Sequence, residues 1–548
     1  MKNTFLISIF IYGIFFSQII FGQTIDKKDL EVKIDAMVPS QVNDSTPGVV
    51  VGVVHNGELI FSKGYGMANL AYGIPNDPKM VYNIGSVSKQ FLGYAFAMLH
   101  VKGDLNIDDP VSKYLEEWPE FDHPVTLKHL LSHTSGYREA YTMSHLGGRR
   151  IGVDHLSREE CLNVVRAQPD LEFVPGSRWT YNSTAWVILA EVLKKVTGEE
   201  ADTWVEENIL KPLDMHSTQI ESYVGEVINN AAESYSLEKD NGFKNEESNR
   251  AIFGAADIYT NIPDLVRWIN NYRTAEIGGS EVQNLFFDPF ILNNGTNSEY
   301  ALGIRSQKYR GLRRYGHTGG HEAFSTQLSY FPDHDLGIII ISNFGGNGWF
   351  ASSKIADLML EEFMTSSSDK KRKPVALNKD ALKKFEGLYL SPASNSTIEF
   401  IISDDTLTID GQRKLIPISE NMFTMDGWNG SIQFNELETG ETQLTIINGT
   451  EEKLRKVKKW EPQVEELKEF EANYWSEELE TVYHIVTKDD SLVINHRWME
   501  EITLEPVTND LFKSDRGMSL KFARNKNGEI KGLSIYSGRT MNVYFQKQ

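Results

Sequence analysis

The stretch YNIGSVSKQFLGYAFAMLH, residues 82–100, places two serines and a lysine directly before a long apolar run. Ser86 and Lys89 are three residues apart, so on a helix their side chains lie on one face, one turn apart. A lysine that apolar neighbours partly desolvate has a lowered pKa and can accept the proton of a serine hydroxyl. A serine at a helix N-terminus also has free backbone N–H groups beside it, which suit a developing oxyanion. The stretch predicts either a catalytic nucleophile or only the polar start of a buried helix.

The Ser-x-x-Lys spacing alone does not decide between these interpretations. It recurs at Ser236, Ser367 and Ser368, of which the first lies in a polar loop pattern and the others in a linker-like segment. Only Ser86 opens a long apolar helix pattern. Ser88 receives no role beyond that of a helix residue.

The segments around this stretch predict an α+β fold. Residues 48–64, GVVVGVVHNGELIFSKG, contain two β-branched runs around Asn56-Gly57, a dipeptide that favours a type I′ hairpin turn. Residues 337–344, GIIIISNF, are typical of a buried strand. Long helical patterns lie between these strand blocks, at 88–102, 184–197 and 261–272. One antiparallel sheet formed by strands from both ends of this region is therefore expected.

The composition changes after residue 363. Residues 364–380 contain few apolar residues, a basic cluster and a proline, which indicates a linker. Beyond it, LKKFEGLY (382–389) returns as LKEFEANY (467–474) and DDTLTID (404–410) as DDSLVIN (489–495), both 85 residues further along the chain. The sequence predicts two small antiparallel β modules of barrel-like form, at 381–460 and 461–548.

The N-terminus predicts export. One early lysine precedes an apolar stretch that ends at a small residue, Gly22, which is typical of a signal peptide covering residues 1–23. An uncleaved membrane anchor is the alternative, although the apolar core is short and no stop-transfer charge cluster follows. We therefore expect a periplasmic or secreted protein without stable membrane insertion after signal cleavage.

Composition excludes several classes of partner. A formal net charge of −21 disfavours binding to nucleic acid, and the oligomeric state stays undetermined. The single cysteine, Cys161, cannot form an internal disulfide and is expected to be an ordinary helix residue. No metal-binding spacing of the HExxH kind and no Gly-x-Ser-x-Gly elbow occurs, so neither a metal, another cofactor nor an α/β-hydrolase is expected.

Three further motifs follow the serine motif in order. They are VTLKHLLSHTSGY (125–137), FVPGSRWTYNSTAWVILAEVLKKVTG (173–198) and YGHTGGHEAFSTQLSYFPDH (315–334). Together the four stretches resemble the serine β-lactamase and penicillin-binding-protein superfamily, most closely its class C and D-aminopeptidase-like branch, peptidase family S12 type. The resemblance covers residues 35–363 and implies a β-lactamase/transpeptidase-like catalytic domain at 24–363.

The resemblance also implies roles for individual residues. Ser86 corresponds to the acylated nucleophile, Lys89 to its basic partner and Tyr181 to the tyrosine that transfers protons. The substrate contacts that it implies are Asn182, Ser183, His317, Thr318 and Gly319, and the oxyanion hole consists of the backbone N–H groups of Ser86 and Gly320. His133 is expected to be a structural, hydrogen-bonding histidine rather than a catalytic one.

Two departures from the family pattern bear on the substrate. Tyr181-Asn182-Ser183 stands where the family usually has Tyr-x-Asn, so the amide that contacts substrate is replaced by a hydroxyl or moved by one position. His317 replaces the lysine of Lys-Thr-Gly, so a permanent positive charge becomes a group that is mostly neutral at pH 7. Both departures weaken the case for a β-lactam carboxylate as the favoured ligand.

The sequence therefore predicts an exported serine hydrolase that forms an acyl-enzyme on Ser86. Peptides containing D-amino acids, or small acyl compounds, are the expected substrates. A carboxylesterase or a true β-lactamase on the same scaffold is the alternative enzyme. An alternative of another class is a non-catalytic protein that binds envelope components or glycans through its β modules and carries a vestigial site.

Overall fold

The computed structural model describes residues 26–150, 153–250, 252, 254–348, 350–365, 374–425, 430–438, 440–448 and 450–548. The predicted signal peptide, 1–23, lies outside the described residues, as do positions 366–373 of the predicted linker. Within the described ranges, no helix has both the length and the apolar character needed to cross a bilayer.

A six-stranded antiparallel sheet, here called the central sheet, organises the first part of the chain. The predicted hairpin forms, because Asn56 and Gly57 adopt φ angles of 52° and 78° and join its two strands. The first strand pairs with the last along its whole length, with Val51 opposite Ile340. From edge to edge the strands are Arg305–Tyr309, Leu312–His321, Phe324–Phe331, Leu336–Ser342, Val49–His55 and Glu58–Tyr65. The expectation of one sheet built from strands at both ends of an α+β region is confirmed.

Helices pack around this sheet and between its connections. The three predicted helical patterns correspond to Lys89–Lys102, Thr184–Thr197 and Ile262–Thr274. The first of these is buried along most of its length, and Phe91 stacks on Trp268 with ring centroids 4.3 Å apart. The other α-helices of this part of the chain are Lys27–Asp35, Leu127–Leu131, Ala140–Leu146, Arg158–Arg166, Ala201–Val205, Gly279–Phe287 and Ser353–Leu360. Cys161 is buried in one of them, as expected of an ordinary helix residue.

Short elements complete this part of the chain. Shorter strands are Met67–Asn69, Ile74–Pro75, Tyr82–Asn83, Gln219–Ile220, Tyr235–Glu238, Gly242–Asn245 and Ile258–Thr260. The 3-10 turns are Gly85–Ser88, Val111–Lys113 and Pro332–His334, and Glu206–Leu210 is a π-helical turn. The turn Gly85–Ser88 precedes the helix that carries Lys89 and is called the serine turn below.

Two antiparallel β modules follow, in the order that the repeat predicts. Each begins with a short helix, Lys379–Lys383 and Val464–Leu467, and the second helix continues into the 3-10 turn Lys468–Phe470. In each module a buried tyrosine hydroxyl donates to the carbonyl of a phenylalanine four residues earlier: Tyr389 to Phe385 at 3.1 Å and Tyr474 to Phe470 at 2.8 Å. The repeat is therefore structural as well as sequential.

The two modules differ in closure. The second is a closed eight-stranded barrel of Ala472–Ser476, Thr481–Lys488, Ser491–His496, Met499–Thr508, Leu511–Ser514, Ser519–Arg524, Ile530–Ser537 and Thr540–Lys547. The first is a nine-stranded sheet of Gly387–Leu390, Thr397–Ser403, Thr406–Ile409, Arg413–Lys414, Ile416–Pro417, Met422–Thr424, Ser431–Glu436, Thr442–Asn448 and Thr450–Val457. Its two edge strands are consecutive in the chain but do not pair, and Pro417 in one of them has no N–H to donate. The first module is thus a near-barrel.

Candidate active site

The serine turn places Ser86 against the central sheet. Gly85 has a φ of 52°, and a Cβ at this position would lie 2.5 Å from the backbone nitrogen of Gly320. Glycine is required here because only its backbone tolerates both this conformation and this close approach. Ser86 is consequently held beside the edge of strand Leu312–His321 and stays partly exposed.

Lys89 contacts Ser86 directly. Its Nζ lies 3.1 Å from Ser86 Oγ and donates a 2.6 Å hydrogen bond to the carbonyl oxygen of Ala255. The side chain is fully buried, and this burial, assisted by the positive charge of Arg539, lowers the pKa of Lys89 to about 7. A substantial fraction of the amine is therefore neutral at neutral pH and able to accept a proton from the serine.

Tyr181 lies on the other side of the same pair. Its ring centroid is 5.2 Å from Lys89 Nζ, and burial raises the pKa of its phenol to about 12. Ser86 and the positive charge of Arg539 act against this rise. The Tyr181 hydroxyl has no hydrogen-bond partner of good geometry among the described residues, although Ser86 is close enough to affect its pKa. A neutral phenol without a fixed partner is suited to pass a proton between reacting groups.

A directional chain of hydrogen bonds fixes His317 and His133. The N–H of Asn182 donates to His133 Nδ1 at 3.0 Å, so the proton of His133 is on Nε2, which faces the Tyr300 oxygen at 3.1 Å. The Tyr300 hydroxyl then donates to His317 Nε2 at 2.9 Å, and His317 Nδ1 donates to the carbonyl of Thr318 at 2.5 Å. Burial, with the positive charge of Lys89, lowers the pKa of His317 to about 3. His317 is therefore neutral, and His133 is the structural histidine that the sequence predicts.

The residues after His317 continue along the edge of a cavity that Ser86 and Tyr181 also line. Thr318, Gly319 and Gly320 all line it. A Cβ on Gly319 would lie 1.9 Å from the carbonyl oxygen of Ile84, immediately before the serine turn. The glycine allows the strand to run against this turn, which brings the backbone of Gly320 beside Ser86.

Asn182 and Ser183 are the two residues that could take the place of the substrate-contacting asparagine of the family's Tyr-x-Asn motif, and the structure distinguishes between them. Ser183 lines the cavity. Asn182 does not, because its amide nitrogen donates to the carbonyls of Tyr137 at 2.6 Å and Arg138 at 3.1 Å. Its Oδ1 accepts from the N–H of Ala185 at 2.9 Å. The structure therefore places Asn182 in the framework of the site rather than at the substrate position that the resemblance implies.

These side chains surround one cavity of about 430 Å³, a volume suited to a small molecule or a short peptide segment. Its lining combines the predicted site residues with side chains that are not among the predicted site residues. The latter are Tyr141, Trp179, Arg250, Ala255, Ala256, Arg305, His321 and Arg539. His321 and Trp179 lie within the quoted motif stretches 315–334 and 173–198. Arg305 and Arg539 belong to no motif, so the sequence carries no signal for them.

Arg539 reaches the cavity from the second β module. It lies in the turn between strands Ile530–Ser537 and Thr540–Lys547. The module docks beside the site through Arg138, whose side chain is fully buried and donates to Glu478 at 2.6 Å and to the Met541 carbonyl. The cavity is thus formed by two parts of the chain that are distant in sequence.

The arrangement supplies the parts of an acyl-transfer site. Ser86 provides a hydroxyl, Lys89 a base at hydrogen-bond distance and Tyr181 a neutral phenol beside both. In the described part of the chain, no cluster of three or more histidine, cysteine, aspartate or glutamate side chains is placed to hold a metal ion. The chemistry that Ser86, Lys89 and Tyr181 can perform together is nucleophilic and acid–base.

Comparisons with known proteins agree with this architecture. Residues 34–359 match the family model described as Beta-lactamase. A penicillin-binding protein of Bacillus subtilis is 24% identical, with 73% of this chain and 93% of the relative covered. A D-aminopeptidase of Cereibacter sphaeroides is 26% identical, with 70% of this chain and 73% of the relative covered. The octameric penicillin-binding protein homologue of Pyrococcus abyssi shares the fold, with a TM-score of 0.54, 22% identity, and coverage of 78% of this chain and 100% of that one.

Proposed function

Because the chain belongs to the β-lactamase family, within the serine β-lactamase and penicillin-binding-protein superfamily, we propose that it is an exported serine hydrolase that forms an acyl-enzyme on Ser86. The family is one of hydrolases, whereas the acyl-enzyme and export belong to the proposal. Export is proposed from the signal-peptide pattern of residues 1–23.

The observation that carries the proposal is the contact between Ser86 and Lys89. The amine lies 3.1 Å from the hydroxyl, is oriented by the carbonyl of Ala255 and has a pKa of about 7. This combination gives a base that is available at neutral pH and directed at the nucleophile. A serine that only caps a helix does not require a buried lysine at this position.

The proposed reaction has two halves. Ser86 Oγ attacks the carbonyl carbon while its proton passes to the neutral amine of Lys89, and the N–H groups of Ser86 and Gly320 bind the oxyanion. The tetrahedral intermediate collapses, the bond to the leaving group breaks, and the proton reaches the leaving amine or alcohol through Lys89 and Tyr181. Water then attacks the acyl-enzyme, the same groups accept and return its proton, and a free acid leaves Ser86.

We propose amides and esters of D-amino-acid peptides or small acyl compounds as the substrate class. One relative is named a D-aminopeptidase, and the neutral His317 removes the permanent charge found at this position in Lys-Thr-Gly enzymes. A carboxylesterase or β-lactamase activity uses the same residues, and only substrate tests separate these enzymes.

The test is hydrolysis of a substrate panel by the purified full chain. The panel holds D-alanyl 4-nitroanilide, 4-nitrophenyl acetate and butyrate, and a chromogenic cephalosporin. We expect Ser86→Ala to abolish the activity and Ser236→Ala to retain it, because Ser236 has the same spacing to a lysine but does not line the cavity. Equal hydrolysis by wild type and Ser86→Ala would refute the proposal and favour the non-catalytic alternative.

A further inference from the structure

Two arginines of the cavity lie against aromatic rings rather than in ion pairs. Arg305 stacks its guanidinium 5.2 Å from the centroid of Trp179, and Arg539 lies 4.7 Å from the centroid of Tyr181. Neither guanidinium forms an ion pair or a side-chain hydrogen bond within the part of the chain that the structure describes. The third arginine of the cavity, Arg250, is paired with Glu322. Arg305 and Arg539 therefore have donors available for a ligand.

The cavity is positive in a protein that is strongly negative. No aspartate or glutamate is among its described lining residues, while the chain as a whole has a formal charge of −21. The charge of Arg539 lowers the pKa of Lys89, and the charges of Arg539 and Arg305 both oppose the rise of the Tyr181 pKa. Both arginines therefore act on the catalytic groups themselves. Glu139 interacts with the charge of Arg539 but does not line the cavity. A lining with arginines and no carboxylate attracts a negatively charged ligand.

Arg539 is held in place by the docking of the second β module. The next residue, Thr540, accepts a 3.3 Å hydrogen bond from the N–H of Glu139, and the carbonyl of Met541 accepts from Arg138. Met541 N–H also donates to Glu172 at 2.9 Å. Contacts on the residues directly after Arg539 thus fix its backbone against the catalytic domain, which keeps its exposed side chain beside the cavity.

We propose that Arg305 and Arg539 form an anion-binding subsite that selects substrates bearing a carboxylate away from the bond that is cleaved. The planar guanidinium donors match a carboxylate in a way that a neutral His317 does not. The subsite rests on the proposed hydrolase function and adds to it a substrate class and a specificity residue contributed by the second β module.

Catalytic selectivity is tested with matched ester pairs. One pair places the charge on the leaving group, 3-acetoxybenzoate against 3-acetoxybenzamide, and the other on the acyl group, mono-4-nitrophenyl glutarate against 4-nitrophenyl 4-carbamoylbutyrate. We expect kcat/KM to favour the carboxylate about tenfold in at least one pair, the size of one charge-assisted interaction. Arg539→Gln and Arg305→Gln should each reduce this ratio towards one, and Arg539→Lys should retain part of it.

The matched control removes one positive charge elsewhere on the same module. Arg516 contacts Glu500 and does not line the cavity, so Arg516→Gln should leave the ratio unchanged. Raising the NaCl concentration should lower the wild-type ratio and leave hydrolysis of the amide members nearly constant. A ratio of one in both wild-type pairs, or a ratio that Arg539→Gln leaves unaltered, would overturn the subsite.

Binding without turnover separates the subsite from the hydrolase. Calorimetry on Ser86→Ala should detect glutarate but not glutaramide, and Arg539→Gln in that background should weaken glutarate binding about tenfold. Glutarate binding without Ser86-dependent hydrolysis would contradict the proposed function and support the subsite. Ser86-dependent hydrolysis without glutarate binding would overturn the subsite alone.

Discussion

The protonation of Lys89 makes a quantitative prediction about the pH dependence of hydrolysis. The pKa of this lysine is about 7 in the folded protein, against an ordinary value of 10.5, because the side chain is fully buried and faces the charge of Arg539. Only the neutral amine accepts the Ser86 proton. The rate must therefore rise with pH as Lys89 loses its proton, and level off above the pKa.

The magnitude follows from the fraction of neutral amine. With a pKa of about 7, half of the lysine is neutral at pH 7 and about one part in a hundred at pH 5, so kcat/KM should fall about hundredfold below its plateau. A lysine with the ordinary pKa would be only about 0.3% neutral at pH 8, and the rate would then rise about tenfold per pH unit up to pH 10. The two cases differ most clearly between pH 8 and pH 10.

The assay is kcat/KM for 4-nitrophenyl butyrate from pH 5 to pH 10 at constant ionic strength, with circular dichroism confirming the fold at each pH. A neutral ester keeps the substrate's own charge out of the profile. Arg539→Gln removes a charge that lowers the Lys89 pKa, so its profile should move towards alkaline pH, while Arg539→Lys should move less. A slope of one that continues above pH 8, or a flat profile between pH 5 and pH 8, would refute Lys89 as the base.

Three further substitutions test how the site is built. Gly319→Ala adds a Cβ that would lie 1.9 Å from the carbonyl oxygen of Ile84. We expect the variant to be folded by circular dichroism and its kcat/KM to be reduced at least about hundredfold, the scale of losing an oxyanion donor. Near-normal kinetics would contradict the close approach. Arg138→Met leaves the buried Glu478 without its 2.6 Å partner. The free energy of unfolding, measured in urea, should fall by about 3 to 5 kcal/mol. A loss below about 1 kcal/mol would mean that solvent screens this ion pair. Tyr181→Phe removes only the phenolic hydroxyl and should lower kcat about 10² to 10⁴ fold at an unchanged urea midpoint, whereas an unchanged kcat would remove Tyr181 from the proton pathway.

Local sequence patterns determined much of the fold. The hairpin at Asn56-Gly57 forms because those two residues tolerate positive φ angles, and the buried strand predicted within 337–344 is observed as Leu336–Ser342. The repeat likewise places a strand start at Gly387 and again at Ala472. Each of these features depends on residues that are close in sequence, and local propensity or periodicity therefore suffices to predict it.

The sequence did not predict that the first module stays an open near-barrel. The repeat predicts two equivalent barrel-like units, yet only the second closes through hydrogen bonds within the described residues. In the first, the edge strand Ile416–Pro417 follows directly after the opposite edge strand, and a proline there cannot donate to a ladder. Closure depends on edge details that a similarity of short motifs does not capture.

The site residues also fall into those placed by local spacing, which the sequence predicts, and those placed by distant segments, which it does not. Ser86 and Lys89 are brought together by one helical turn, so their contact follows from spacing. The orientation of Asn182 does not, because it depends on the carbonyls of Tyr137 and Arg138 on a separate segment. Arg539 enters the cavity only because a whole module docks beside it, and no sequence pattern in one chain reports such docking.

The most direct test of the central claim is the location of a covalent adduct. The full chain is incubated with a fluorophosphonate probe at pH 8, digested, and examined by mass spectrometry, alongside Ser86→Ala and Ser236→Ala. We predict one modification, on the peptide containing Ser86, that is lost in Ser86→Ala and retained in Ser236→Ala. The absence of an adduct on Ser86 in a folded wild-type protein, or an equal yield of adduct in Ser86→Ala, would contradict Ser86 as the nucleophile.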